Sequence, residues 1–237
     1  MTPLEKILQR QAVWRGGAAA AVALPAARAV RTGFAALDAA LPGGGWPAGL
    51  VEVLHCAQGM GELQIVLPAL ATLTSAGRRI AWLAPPHLPY APALRAAGVR
   101  LDCLTVVRAP GRRDALWAAE QALRAGTFHA LLLWLPRASY PELRRLAVAA
   151  QAGPGFALAF RPPEAAGEAS PAVLRLALEA GQRQFAIRIL KRRGQPLAAP
   201  FPLSIERPVF ERPAHALGRA PLSATPTPGA RARACAA

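Results

Sequence analysis

The chain has 237 residues, with 28 basic against 13 acidic side chains and a formal net charge of +15. That length suffices for an α/β domain whose core needs no disulfide or metal, and the scattered Cys56, Cys103, Cys235, His55, His87, His129 and His215 form neither a disulfide framework nor a metal-ligand spacing. The opening MTPLEKILQR is too polar for a secretory signal, and AAAAVALPAA is too short and proline-broken to span a bilayer, so a cytoplasmic protein with no membrane partner is expected.

Thr2-Pro3-Leu4-Glu5 starts a helix as a capping box, with Leu4, Ile7 and Leu8 on one face. This helix, residues 1–16, is a candidate docking element, followed by a linker over 17–31. The core domain is expected over 32–205. LVEVL (50–54) reads as a strand, 61–77 as a helix stopped by Gly77, RRIAWLA as a strand, and 91–97 as a short helix ended by Gly98. LTVVR is a strand, Asp114 the cap of a helix running to Gly126, and HALLLWL a strand buried on both faces. Ser139-Tyr140-Pro141-Glu142 is a second capping box, and GFALAF a further strand.

Strands alternating with helices predict a mainly parallel sheet flanked by crossover helices. VLRLALEAG and QFAIRILKRRG then predict an antiparallel hairpin around Gly181-Gln182, and the Ala/Pro/Arg-rich residues 206–237 a disordered tail. On the second hairpin strand Arg188 and Arg192 are expected on one side, Lys191 and Arg193 on the other. Together with Arg183 they are a candidate surface for DNA phosphates or an acidic partner, or a sheet edge protected by charge. Trp82, Trp117 and Trp134 read as core, and Trp14 and Trp46 as better contact candidates.

EVLHCAQGMGELQ (52–64) has the outline of a phosphate-binding loop between strand and helix. A working loop is G-x-x-x-x-G-K-[ST], whose lysine meets the phosphates and whose hydroxyl holds magnesium. His55, Cys56, Gly59, Gly61 and Glu62 supply neither, and no lysine lies between Lys6 and Lys191. An acid at Glu62 would occupy the field a phosphate needs.

The run RTGFAALDAALPGGGWPAGLVEV resembles the start of the core of RecA-family recombinases, through Thr32-Gly33, Leu37-Asp38, Gly43-Gly44-Gly45, Pro47, Gly49 and Glu52. GELQIVLPAL, IAWLAPPHLPYAPAL, RDALWAAEQALRAG, WLPRA and KRRG resemble the RecA-like, SulA-related ImuA family. The resemblance implies a RecA-like P-loop-type core with a degenerate nucleotide site. The positions of the phosphate-binding lysine and magnesium hydroxyl fall on Gly61 and Glu62. Those of the water-activating and magnesium-binding carboxylates fall on Pro86 and Trp134. No catalytic residue, metal or cofactor is therefore expected, and no ATPase activity.

The ImuA resemblance implies a non-catalytic accessory role in SOS-induced mutagenic translesion synthesis. Its partners would be an ImuB-type polymerase homologue, an error-prone replicative polymerase subunit and RecA, with DNA contact through the basic surface. The alternative is a cell-division inhibitor of the SulA type, a family that blocks FtsZ assembly. A third, an ATP-dependent DNA-binding recombinase, requires the missing loop chemistry.

Overall fold

The computed structural model describes residues 29–55, 61–180, 185–192 and 201–203. Leu4, Ile7 and Leu8 of the expected docking helix, nearly all of the 17–31 linker, and the 206–237 tail lie outside the described residues.

Among the described residues eight strands form one sheet: β1 (Gly49–His55), β2 (Ile80–Leu83), β3 (Leu104–Val107), β4 (Ala130–Trp134), β5 (Phe156–Arg161), β6 (Leu174–Ala180), β7 (Phe185–Lys191) and β8 (Phe201–Leu203), in the order β3-β2-β4-β5-β1-β6-β7-β8. The β1–β6 ladders are parallel, while β7 and β8 join antiparallel. The expected hairpin is thus no appendage, because β6 pairs directly with β1. The strand β8 had no expected counterpart: FPL is too short to show a period.

Among the described residues five α-helices cover the two faces: α1 (Ala35–Ala40), α2 (Leu67–Ser75), α3 (Ala91–Ala96), α4 (Arg112–Arg124) and α5 (Tyr140–Ala152). Period-two alternation sends Val51 and Val53 of β1 to the face covered by α1, α2 and α3, where Leu37, Leu70 and Leu94 pack. Leu50 goes to the other face, under α4 and α5, where Ala119, Leu143, Leu146 and Ala150 pack on Ala157 and Ala159. β1, β2, β4 and β5 are buried throughout, which is why their sequences read as nearly unbroken apolar runs.

Two expected helix starts are corrected. Residues 62–65 form a 3-10 turn, and α2 begins only at Leu67. Pro68 has no N–H with which to continue a helix from the preceding turn, so a new helix starts around it. In α4 the N-cap is Gly111, not Asp114, which sits within the first turn. There it still meets the positive end of the helix dipole. Gly77 does stop α2 as expected. At φ +70° it lets Arg78 N–H reach the Leu73 carbonyl and its own N–H reach Thr74.

Candidate functional site

In a parallel α/β sheet, ligands bind in the crevice beyond the carboxyl ends of the strands. Here that end is filled from within on the α2 side. His55, Trp134, Phe160 and Trp82 stand on adjacent strands and pack ring to ring. Trp134 lies 5.6 Å from Trp82 and 5.2 Å from Phe160, and His55 meets Phe160 edge-on at 5.7 Å. All four are buried. Trp134 is therefore an apolar plug where the resemblance placed a metal-binding carboxylate.

Beyond β1 the described chain resumes at Gly61, at φ +99°, followed by Glu62, which is buried. Glu62 opens the four-residue 3-10 turn, which is too short to present the aligned N–H groups of an α-helix N-terminus. The N-terminus of α2 packs instead against Gly33, where an added Cβ would lie 2.4 Å from Pro68 Cβ. Cys56 and Gly59 lie outside the described residues. Pro86 is exposed on the loop after β2, apart from the plug.

On the opposite face of β1 lies a group whose sequence signature is only a point of resemblance at Glu52. Glu52 is fully buried in mid-strand. One carboxylate oxygen accepts from Arg161 on β5 at 3.2 Å, the other from Arg175 on β6 at 2.7 Å. Arg161 also donates to Glu168 at 2.9 Å, and Arg175 to the carbonyls of Ala165 and Glu168 at 2.6 and 3.0 Å. The pair of arginines clamps the 162–172 connection against the sheet. A signal for the group does exist in the sequence: Glu52, Arg161 and Arg175 are charges inside otherwise apolar strands, which are placed only where they are paired.

The basic residues of β7 are distributed differently from the expected alternation. A β-bulge between β6 and β7 sets Lys191 opposite Arg175 and Arg188 opposite Ala177. One extra residue reverses the pleat, so Arg188 and Lys191 share a face and Arg192 is on the other. Arg188 pairs with Glu179 at 3.0 Å, Lys191 donates to the Ser170 carbonyl at 2.8 Å, and Arg192 donates to the Ala40 carbonyl at the end of α1. Arg183 and Arg193 lie outside the described residues.

The opposite edge of the sheet carries exposed apolar side chains. β3 has no neighbour on its outer side among the described residues. Ala84, at φ +48°, turns the chain out of β2 into Pro85-Pro86-His87-Leu88. This loop and β3 enclose an open cleft of about 370 Å³ with Leu88, Val106 and Arg108 on its walls. Leu88 is 72% and Tyr90 69% exposed. The tryptophans reverse two expectations. Trp46 is fully buried and stacked on Phe156 at 5.9 Å, whereas Trp117 is 62% exposed on α4. Trp14 lies outside the described residues.

Among the described residues no group of three or more His, Cys, Asp or Glu side chains is placed to hold a metal ion, and no helix is long and apolar enough to cross a membrane.

The family model described as cell division inhibitor SulA matches residues 49–157. The chain is 36% identical over 97 residues to cell division inhibitor SulA of Edwardsiella piscicida, covering 41% of this chain and 58% of that protein. It is 30% identical over 119 residues to the SulA of Pectobacterium carotovorum, covering 50% of this chain and 71% of that one. The solved structure of SulA from Pseudomonas aeruginosa is 28% identical with a TM-score of 0.41, covering 47% of this chain and 97% of that one. The chain thus spans little more than half the length of the first of these relatives. The family model and the two SulA sequences overturn the expected accessory role in translesion synthesis, and with it the polymerase homologue, polymerase subunit and RecA as partners. The matched segment, β1 to the start of β5, carries the likeness to division inhibitors instead. With 30% identity over 71% of the Pectobacterium protein, the chain belongs to the cell division inhibitor SulA family.

Proposed function

We propose that the protein inhibits cell division by binding, with FtsZ as its target and the β3 edge of the sheet as its docking surface. Family membership over the β1–β5 core carries the reading. The geometry supports the surface: an unpaired edge strand offers backbone hydrogen bonds, and the exposed Leu88, Tyr90 and Val106 beside it offer apolar anchors. Large side chains of this kind supply much of the energy of protein interfaces.

The protein acts without catalysis in this reading. The ring plug at the carboxyl ends of β1, β2, β4 and β5 and the buried Glu62 occupy the ground that a nucleotide would need. We read the core as a RecA-like scaffold that keeps the strand–loop–turn corner after β1 and has given up the reaction. Induced expression in rod-shaped bacteria, followed by microscopy and by sedimentation of purified FtsZ polymers with the full chain, tests the proposal. Filamentous cells and loss of sedimentable polymer are expected, and both effects should be weakened at least about tenfold by Leu88→Asp with Tyr90→Ala. Normal division with unchanged polymer would overturn the role. Full inhibition by the double variant would overturn the surface. DNA-stimulated ATP hydrolysis by the purified chain would overturn the non-catalytic reading.

A further inference from the structure

Helices α4 and α5 lie side by side over the sheet, and between their outer sides runs a groove of about 450 Å³. Its apolar floor and rim are Leu116, Trp117 and Leu146, and its cations are Arg112, Arg113 and Arg145. Trp117 is the one indole among the described residues that faces solvent; Trp46, Trp82 and Trp134 are buried. An exposed Trp on a regular helix gains nothing from the fold, since neither core needs it.

The groove also holds two carboxylates, and the chain's own arginines neutralise both. Glu120 pairs with Arg124 at 2.7 Å and with Arg145. Glu142 pairs with Arg112 at 2.5 Å and accepts the Ser139 N–H at 2.8 Å. From Arg112 to Ala152 there are six arginines, at 112, 113, 124, 137, 144 and 145, against Asp114, Glu120 and Glu142. Arg113, on the groove wall beside Trp117, has no carboxylate partner among the described residues.

We propose that this groove is a second docking surface, separate from the β3 edge, and that it takes a short acidic segment of another protein carrying one large apolar side chain. The apolar side chain lies on the Trp117 indole between Leu116 and Leu146, while flanking carboxylates meet Arg113 and the outer edge of Arg145. Charge decides between occupants. The chain's two long segments outside the described residues are basic: residues 1–28 carry Glu5 against Lys6, Arg10, Arg15 and Arg28, and 204–237 carry Glu206 and Glu211 against five arginines. They are repelled from a basic groove. A nucleic-acid strand brings a phosphate with every nucleotide and would run past Glu120 and Glu142. A peptide can place its charges at Arg113 and leave the rest of the groove to an apolar anchor.

The test uses the full chain and a fluorescein-labelled peptide of Asp and Glu around one central Phe, read by anisotropy. Saturable, salt-sensitive binding is expected, weakened at least about tenfold by Trp117→Ala and by Arg113→Glu and retained by Trp117→Phe. The same peptide with Asn and Gln for its acids should not bind. Because both side chains are exposed, unchanged thermal unfolding of the variants separates lost contact from lost fold. Absence of binding, or affinity unchanged in both variants, overturns the proposal. Labelled oligothymidylate bound with the same dependence on Trp117 assigns the groove to nucleic acid, and a chain dimer lost in Trp117→Ala assigns it to a second copy; either result overturns it. The division assays are scored on the β3-edge variants alone, so failure of one surface leaves the other standing.

Discussion

The two faces of β1 at Glu52 and Val53 are one residue apart in sequence and opposite in chemistry. Val53 joins the continuous apolar core beneath α1, α2 and α3, which ends in the ring plug of His55, Phe160, Trp134 and Trp82. Glu52 enters a face otherwise built from alanine and leucine and carries two buried arginines with it. The apolar face supplies burial and tolerates reshaping, because its contacts are non-directional. The ionic face supplies position. Its hydrogen bonds fix where the 162–172 connection crosses and so where β6 joins the sheet. Buried ion groups of this kind add little net stability but are costly to break.

The largest effect should come from breaking the ionic face. Glu52→Ala leaves Arg161 and Arg175 buried without their shared carboxylate and should cost about 4 kcal/mol in urea unfolding. Replacing Glu52, Arg161 and Arg175 together by Met should cost far less, since the one charge that loses its partner, Glu168, is half exposed and stays solvated. Equal losses in the single and triple variants would mean that these residues contribute by packing alone. On the apolar face, Trp134→Ala should cost about 3 kcal/mol through the cavity it leaves. It should also expose the sheet end without creating nucleotide binding, measurable with a fluorescent ATP analogue.

A smaller effect is expected where backbones touch. Gly155 precedes β5, and an added Cβ would sit 1.8 Å from the His129 carbonyl oxygen. Gly155→Ala must push β5 from β4 and should cost about 2 kcal/mol. The capping box of α5 comes next. Ser139→Ala should cost about 1 kcal/mol. The Ser139 N–H, assisted by its hydroxyl and by the Arg112 and Arg145 guanidinium groups, holds the Glu142 carboxyl below the usual glutamate range. A carboxyl depressed in the folded state stabilises fully above its unfolded pKa, and this contribution is lost as pH falls through the folded value. Melting temperature should therefore drop in acid more steeply for the native chain than for Glu142→Gln.

Much of this fold is legible in the sequence. The parallel core shows because fully buried strands are apolar without interruption, and the Ser139 capping box because its partners are three residues apart. The illegible parts depend on register or on partners distant in sequence. The Glu52 cluster joins residues separated by 109 and 123 positions, and its charges read locally as interruptions of a strand. Trp117 falls opposite the inward Ala115, Ala119 and Leu123 of its helix, so the period points it outward, and only its size argues for the core. Trp46 follows three glycines and reads as irregular. In the fold, Gly45 lets the chain come within reach of Val30, whose N–H meets the Trp46 carbonyl at 3.0 Å, and this isolated antiparallel bridge holds Trp46 in place. The bulge in β7 does leave a mark, since Leu190 follows Ile189 and breaks the alternation, but the break also reads as the end of the strand.

That bulge also decides what the basic residues of β7 can report. Arg188 and Glu179 are both half exposed, and such pairs stabilise little. Arg188→Ala should change urea unfolding by about 0.3 kcal/mol, the smallest effect of the series. Arg192→Ala should change more than Arg188→Ala, because it removes the donor to the end of α1. The difference makes Arg188 the cleaner probe of the β7 surface. If DNA or partner binding falls in Arg188→Ala while unfolding stays unchanged, that face makes contacts of its own. If binding falls only in Arg192→Ala, with stability, the loss comes from α1, and the charge at the β7 edge serves the sheet.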